Sequence, residues 1–514
     1  MLTIKFDEKI TAALFYASII VPLFFCLMHA KSALFVDDFY YYFVVAKNFV
    51  NNGSLSFDGT NLTNGFHPLW FGIVAAVYLA SGHSDTISLI VIGIISAILP
   101  VIGGIKVWQI LKRFVSDATS LATAWAFSVI YVCGGLQISY TGMEVGLVLA
   151  LFPWLLEGLI TPINGSKQVF YFTLLATTII LSRVDSAMIV AIIWLFVVGR
   201  TFKERGKEPN LIPRWLVANA PPIVLGALPL LIYVIFNLAL FGAVLPQSAI
   251  AKALTDAPGP YWEPLMFFTE HFGVIWSPVA VVFAIITVIG LASGDRRLFP
   301  WVIVAVWPII FYATLVFRSP WPCWPWYAYP IVASSPAVAM IALKTSGQGR
   351  LTPALSVLAA LLLAVGVTSV QVRNLRRDEW DQPISAAALK LRDFGETHPG
   401  SYAMGDRAGT VGYVLGHPLL QLEGLVGGNR VLSAVRNRQN LLAFLRSNKI
   451  AYYVSTNLNR DRNGCFEARE PAKAGAAALH MTATLCLKPV DEFSLDENGA
   501  AMTTRVFKIN GLAL

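Results

Sequence analysis

Charge is what this sequence has least of. Asp, Glu, Lys and Arg together make up 13% of its 514 residues, against about 25% in an ordinary globular chain. Hydrophobic residues reach 56% and the mean hydropathy is +0.63. A soluble domain of this length is excluded, and a polytopic membrane protein is what remains. Cysteine is also sparse. Of five, Cys26, Cys133 and Cys323 lie in or beside apolar runs, where a buried thiol behaves as a small hydrophobe. Cys465 and Cys486 fall in the polar tail, where a disulfide stays open and depends on the compartment. The excess of eight basic over acidic residues does not point to nucleic acid. Lys and Arg sit mostly in short loops between apolar runs, a distribution that orients helices in a bilayer.

What is present is aromatic and apolar. Aromatics make up 12% of the chain, 14 of them Trp, which suits belts at the lipid–water boundary. The first run, Thr11 to Met28, is long enough to span and has no small-residue cleavage site behind it, so it reads as a retained helix. Lys5 and Lys9 put the amino terminus in the cytoplasm. Asp37 and Asp38 then emerge on the far side. Asp38 to Asn52 reads as a short amphipathic piece, ended by Asn51-Asn52-Gly53. Pro68 to Ala80 is too short to span with ease and is expected to lie along the surface.

Charge parity carries the argument onward. Ile87 to Leu111 returns to Lys112-Arg113. Spans are expected next at Ala118 to Gln137 and Val145 to Ile160. The basic loop Arg200 to Arg214 must lie on the side of Lys112-Arg113, and three crossings would leave it outside, so Val169 to Val198 is expected to be two short helices hinged at Ser182-Arg183-Val184-Asp185. Spans follow at Trp215 to Leu240, Gly273 to Ala292, Phe299 to Val316, Ala328 to Leu343 and Thr352 to Val370. The whole gives about eleven spans. From Gln371 the composition becomes that of a soluble α/β domain. Helices are expected at Ile384 to Phe394 and Asn440 to Ser447, and strands at Tyr402 to Met404, Val411 to Leu415 and Ala451 to Ser455. The division is thus 1–370, a transmembrane catalytic domain, and 371–514, an extracytoplasmic one. No internal repeat is visible.

Two adjacent carboxylates at a membrane surface are costly unless water, a metal or a cationic ligand receives them. The same face is expected to carry Glu144, Arg183, Lys252 and Arg318. Chemistry outside the cytoplasm has no nucleotide supply, so an activated group must arrive on a lipid. Transfer from a polyprenyl-phosphate sugar needs a carboxylate base, cations for the leaving phosphate, and a groove for the prenyl chain. Each candidate also has a plainer role. Asp37-Asp38 suits a helix N-cap, Arg183 and Asp185 a structural ion pair, Lys252 a solvated loop, and Arg318 a snorkelling position. Glu144 suits a helix start, and His67 a structural contact. Tyr40 to Tyr42 and Trp321 to Tyr327 suit belt aromatics first and sugar platforms second.

The ordered set Asp37-Asp-Phe-Tyr-Tyr-Tyr-Phe-Val-Val-Ala-Lys-Asn, Ser56-Phe-Asp-Gly59 and Asn64-Gly-Phe-His-Pro-Leu-Trp70 resembles the GT-C superfamily of integral-membrane glycosyltransferases. It is similar to a bacterial branch that includes cell-envelope arabinofuranosyltransferases. Leu181-Ser-Arg-Val-Asp185, Leu245-Pro-Gln-Ser-Ala-Ile-Ala-Lys252 and Gly405-Asp-Arg-Ala-Gly-Thr-Val-Gly-Tyr413 extend the likeness over nearly the whole chain. One departure is Gln247-Ser248, where that branch more often has Asn or Asp. The resemblance implies a GT-C-like helical fold with juxtamembrane helices in the first external loop. It also implies an inverting transfer of a sugar, such as arabinofuranose, from a polyprenyl-phosphate donor to a hydroxyl of an envelope glycan, lipid or protein.

Asp37 is expected to be the base and Asp38 to position acceptor or base. Tyr41, Asn64, His67, Glu144, Arg183, Asp185, Lys252, Arg318 and Tyr327 are the expected substrate contacts. No cofactor is expected to be obligatory, with Mg or Mn left as an option at the carboxylates. The expected setting is a bacterial inner membrane, with the amino terminus cytoplasmic and the tail periplasmic. Two other readings compete. A transporter or lipid-linked-sugar flippase would want ionisable residues at mid-depth. A polysaccharide polymerase or ligase would take a diphosphate-linked donor.

Overall fold

The computed structural model describes residues 35–161, 163, 165–205, 211–345, 383–497 and 500–509, with isolated residues at 16–24 and 356–366. The expected spans at Thr11 to Met28 and Thr352 to Val370 therefore lie largely outside the described residues, as does the composition shift at Gln371. The chain is mostly helical up to Thr345, and two β-sheets follow.

Helix α1 (Asp37–Asn52) starts with both carboxylates in its first turn and ends at Gly53 in the left-handed conformation, φ 69°. Acidic side chains there complement the positive helix start, and the residues from Phe39 to Ala46 are all buried. Helix α2 (Pro68–Ala80) has Pro at its first position and is tied down by Trp70, whose Nε1–H donates to the Gly142 carbonyl at 2.9 Å. Then come α3 (Asp85–Leu111), α4 (Ala118–Ser139), α5 (Val145–Glu157) and α6 (Ser166–Ser182). A 3-10 turn at Val184–Ser186 separates α6 from α7 (Ala187–Arg205), so the chain breaks at the hinge marked by Arg183. After it come α8 (Leu211–Phe241), the short α9 (Gln247–Ala251), α10 (Glu263–Ala292), α11 (Phe299–Arg318) and α12 (Tyr329–Thr345).

Six helices among the described residues are long and apolar enough to cross a membrane. Their exposure sorts them. Helix α12 is almost wholly buried, whereas α8 leaves Val217, Leu225, Ile232 and Ile235 exposed. Apolar side chains fully in the open need lipid around them, so α8 lies at the rim and α12 at the centre.

The C-terminal part contains α13 (Pro383–Thr397), β1 (Tyr402–Met404), α14 (Ala408–Val414), β2 (Leu419–Gln421), α15 (Gly428–Arg436) and α16 (Leu441–Ser447). The strands β3 (Tyr452–Thr456), β4 (Asn459–Arg460), β5 (Phe466–Glu470), β6 (Met481–Leu485), β7 (Asp491–Glu497) and β8 (Ala500–Lys508) complete it. One sheet runs β2-β1-β3-β8-β7, with β1 parallel to β2 and β3 and the remaining pairs antiparallel; the other is β4-β5-β6. A disulfide joins Cys465 and Cys486 at the β5 and β6 ends, which closes a question the sequence leaves open.

The expected strand at Val411 to Leu415 is instead part of α14. The β-branched run misleads because the helix start has a partner far away in sequence: the amides of Gly409 and Thr410 reach the Asp37 carboxylate. That tertiary bond overrides local β preference. Gly409 is required there, since a Cβ would collide with the Asp37 backbone. Three backbone bonds join other loops of the helical part to the tail: Gly475 N–H to Pro320 O at 2.9 Å, Asp256 N–H to Ala477 O at 3.0 Å, and Leu479 N–H to Leu254 O at 3.1 Å.

Candidate active site

Two connected cavities lie where the first turn of α1, the hinge, the α9 loop and the C-terminal part converge. The larger, about 670 Å³, is lined by Asp37, Asp38, Tyr41 and Lys252 from the helical part and by Asp406, Arg407, Glu423 and Lys473 from the tail. The smaller, about 70 Å³, contains His67, Glu144, Arg183, Ser248 and Tyr327. Asp38, Tyr41, Lys252, Trp326 and Leu425 line both, so the recess opens off the larger space between Asp38 and Lys252.

The two aspartates have different surroundings. Asp37 accepts three hydrogen bonds: from the Gly409 amide at 3.1 Å, the Thr410 amide at 2.7 Å and the Thr410 hydroxyl at 2.8 Å. Burial raises its pKa, and the bonds from Thr410 partly offset that. Asp38 has no hydrogen-bond partner among the described residues. Burial pushes its carboxyl up to about 6, against the pull of Lys252 and with the repulsion of Asp37.

The cations behind it are held firmly. Arg183 donates through Nε to both Asp185 oxygens, at 2.9 and 3.1 Å, and through Nη1 to Glu144 at 2.5 Å. Its guanidinium lies over the rings of Tyr329 and Tyr327, 4.6 and 5.3 Å from the centroids, a cation–π arrangement. Tyr329 donates to Asp185 at 2.8 Å and Tyr42 to Glu144 at 3.0 Å. Lys252 donates to the Tyr327 hydroxyl at 3.1 Å. Burial works against its ammonium, yet Tyr327 and Asp38 outweigh that and hold its pKa above the ordinary lysine value. His67 accepts from the Val184 amide through Nδ1 at 3.3 Å, so the neutral ring carries its proton on Nε2, 3.5 Å from Glu144. Burial lowers its pKa and keeps it neutral.

Asp37, Asp38, Tyr41, His67, Glu144, Arg183, Lys252 and Tyr327 thus line one connected space. Asp185 supports it from behind, through Arg183. Two expected contacts are not part of it. Arg318 ends α11 exposed to solvent and lines neither cavity. Asn64 is buried in a bonded cluster, accepting from the Gln247 amide at 3.0 Å and donating to Asn237 at 3.2 Å; it shapes the α9 loop. Gln247 itself joins Thr63 to Asn429, at 2.9 and 2.7 Å, while Ser248 faces the recess.

Trp321, Trp324 and Trp326 line the larger cavity, and Trp321 and Trp326 are buried; they wall the cavity and are not simply belt aromatics. Asp406, Arg407, Glu423 and Lys473 were absent from the sequence candidates. Asp406 and Arg407 lie in the string Gly405 to Tyr413, where the one visible signal was. Among the described residues no group of three or more His, Cys, Asp or Glu is arranged to hold a metal ion.

The architecture has solved counterparts. The chain is similar to the crystal structure of ArnT from Cupriavidus metallidurans in the apo state, with a TM-score of 0.51 and 12% identity over 96% of this chain and 97% of that one. The chain shares the fold of that protein. The same protein bound to undecaprenyl phosphate aligns at TM-score 0.49 and 12% identity, over 97% of this chain and 98% of that one. The Archaeoglobus fulgidus oligosaccharyltransferase in complex with Zn and sulfate aligns at 0.45 and 12%, over 86% and 67%. No family model matches the chain, and no curated protein matches it by sequence.

Proposed function

We propose that this chain is an inverting glycosyltransferase, moving a sugar from a polyprenyl-phosphate donor to a hydroxyl acceptor at the outer face of a bacterial inner membrane. The observation that carries it is Asp38, a carboxylate without a partner among the described residues, at the neck between two cavities and beside a lysine. A general base needs free lone pairs and a pKa near the working pH. Asp38 has both, at about 6. Asp37, the base expected from the sequence, has both oxygens engaged, and we assign it to holding the tail against the site.

In the reaction, Asp38 takes the proton of the acceptor hydroxyl. The acceptor oxygen bonds to the anomeric carbon on one face while the bond to the phosphate oxygen breaks on the other, which inverts that carbon. The electron pair leaves with the polyprenyl phosphate, whose charge is received by Lys252 and, deeper, Arg183. The aromatic wall of Trp321, Trp324 and Trp326 suits the apolar end of the donor. No step requires a metal. The disulfide Cys465–Cys486 supports an oxidising, extracytoplasmic location for the tail. For the sugar, the likeness of Asp37 to Asn48 and its companion strings to arabinofuranosyltransferases favours a pentofuranose, and the acceptor is proposed to be an envelope glycan.

The test is reconstitution of the full chain in nanodiscs with polyprenyl-monophosphate and polyprenyl-diphosphate sugars side by side. Wild type should form a new glycosidic bond of inverted configuration from the monophosphate, and Asp38→Asn should lose about 10²–10⁴-fold of that rate. Transbilayer movement of the lipid with no covalent product, or full activity in Asp38→Asn, would overturn the reading.

A further inference from the structure

The larger cavity has two chemically different ends. On the helical side stand Phe267, Phe272 and the three tryptophans; on the tail side stand Asp406, Glu423 and Lys473. Asp406 and Lys473 also line a second cavity, about 690 Å³, that lies wholly within the C-terminal part. Their Nζ to Oδ2 separation is 3.6 Å, so one ion pair stands at the boundary between the two spaces. Beyond it, the β4-β5-β6 sheet and the loop after β3 supply Asn457, Asn459, Glu467, Arg469, Thr482 and Thr484. Among the described residues no aromatic lines this space. Amides, hydroxyls and a few charges form a surface made for hydrogen bonds to a ligand rich in hydroxyls.

An unsatisfied group stands in the larger cavity, which shares Asp406 and Lys473 with the polar one. Glu423 is only 5% exposed. Its Oε2 accepts from Gln421 at 3.1 Å, but its Oε1 has no partner among the described residues. A buried polar atom left so is costly unless a ligand completes it. Burial, with Asp406 and Glu470 nearby, raises the Glu423 pKa well above the ordinary carboxyl value, so the group can offer a proton as well as accept one.

We propose that the polar cavity of the C-terminal part is the binding groove for the acceptor, an oligosaccharide of several sugar units. The chain enters past the Asp406–Lys473 pair and presents its terminal hydroxyl between Glu423 and Asp38. A polymer suits it better than a single sugar, because the groove lies beyond the pair and a monosaccharide in it would leave Asp38 unreached. This rests on the transfer reading above for the direction of entry, but binding is separable from transfer.

The experiment therefore measures binding alone. The full chain in nanodiscs is passed over an array of neutral and anionic oligosaccharides of roughly four to eight units, and polyprenyl monophosphate binding is measured in parallel by native mass spectrometry. Wild type should retain one class of oligosaccharide. Thr484→Trp, which fills the groove from an exposed strand position, should weaken retention at least about tenfold, and Asn459→Ala about fivefold. Both should leave the thermal unfolding and the polyprenyl-phosphate binding of wild type intact. Failure of wild type to retain any oligosaccharide, retention unchanged in both variants, or capture of hydroxyl-rich peptides in place of glycans would overturn the groove. Loss of polyprenyl-phosphate binding in wild type would instead count against the transferase, and glycan retention would still decide the groove.

Discussion

Asp37 and Asp38 are neighbours in one helical turn, yet the tail treats them differently. Thr410 and Gly409 take up one carboxylate and leave the other facing a lysine across a cavity. Because the Asp38 carboxyl has a pKa of about 6, a base in that position should give kcat/KM rising with pH to a plateau above about 7, with the acid limb centred near 6. A profile flat from pH 5 to 8 would show another group taking the proton. The same shift has a stability consequence. A carboxyl at 3.8 unfolded and about 6 folded binds more protons in the folded state across that window. Folding stability from this group therefore falls as pH rises from about 4 to 6, and stays lower above it. Asp38→Asn is expected to be more stable than wild type at pH 7.5, by no more than about 3 kcal/mol and less where solvent screens the side chain. Thermal unfolding at pH 4.5 and 7.5 checks it, since the gain should shrink at the lower pH.

At the scale of elements, the junction between α1 and α14 is the joint that matters. Replacing Thr410 by Val removes one hydroxyl bond to a carboxylate and should cost about 1–3 kcal/mol at the junction. Gly409→Ala should cost more, since the Asp37 backbone stands where the new methyl would go. In both variants hydrogen exchange should rise across residues 405–415 while α3 and α4 stay protected, and exchange indistinguishable from wild type would argue against the joint. This element also marks the limit of what the sequence could tell. The β-branched Val411 and Val414 read as a strand because nothing local records that the helix start meets a carboxylate far upstream. The break at Arg183 was legible, by contrast, because charge on the loops before and after it allows few ways of threading a membrane.

For the whole molecule, what could be read was the distribution of apolar runs and the presence of both helices and strands in the tail. The convergence of Asp38, Glu144, Arg183 and Lys252 was legible only as membership of one face. Arg318, assigned to the same face, is at an exposed helix end; one side of a bilayer holds many places, and spacing alone does not choose among them. Glu423 and Lys473 were invisible because an isolated acid or base in a polar tail looks like solvent-facing charge until the other half of the cavity is present. The tail carries its own brace. Replacing Cys465 and Cys486 by Ser should lower the stability of the C-terminal part by about 2–4 kcal/mol, read as earlier loss of its β-sheet signal on heating, with the helical signal little changed. Simultaneous loss of both signals would mean that the two parts melt as one.

The clamp on Asp37 also sets an order of events during synthesis. Its partners are 372 and 373 residues further along the chain, so every helix up to Thr345 is synthesised before the residues that finish the first helix turn exist. A ribosome that stalls, or a transcript cut short before Thr410, leaves a product with its bundle helices present and the larger cavity missing its tail-side wall. On the transferase reading proposed above, such a fragment should be inert toward a polyprenyl-phosphate donor, because the clamp on Asp37 is absent until Gly409 and Thr410 have been delivered and folded.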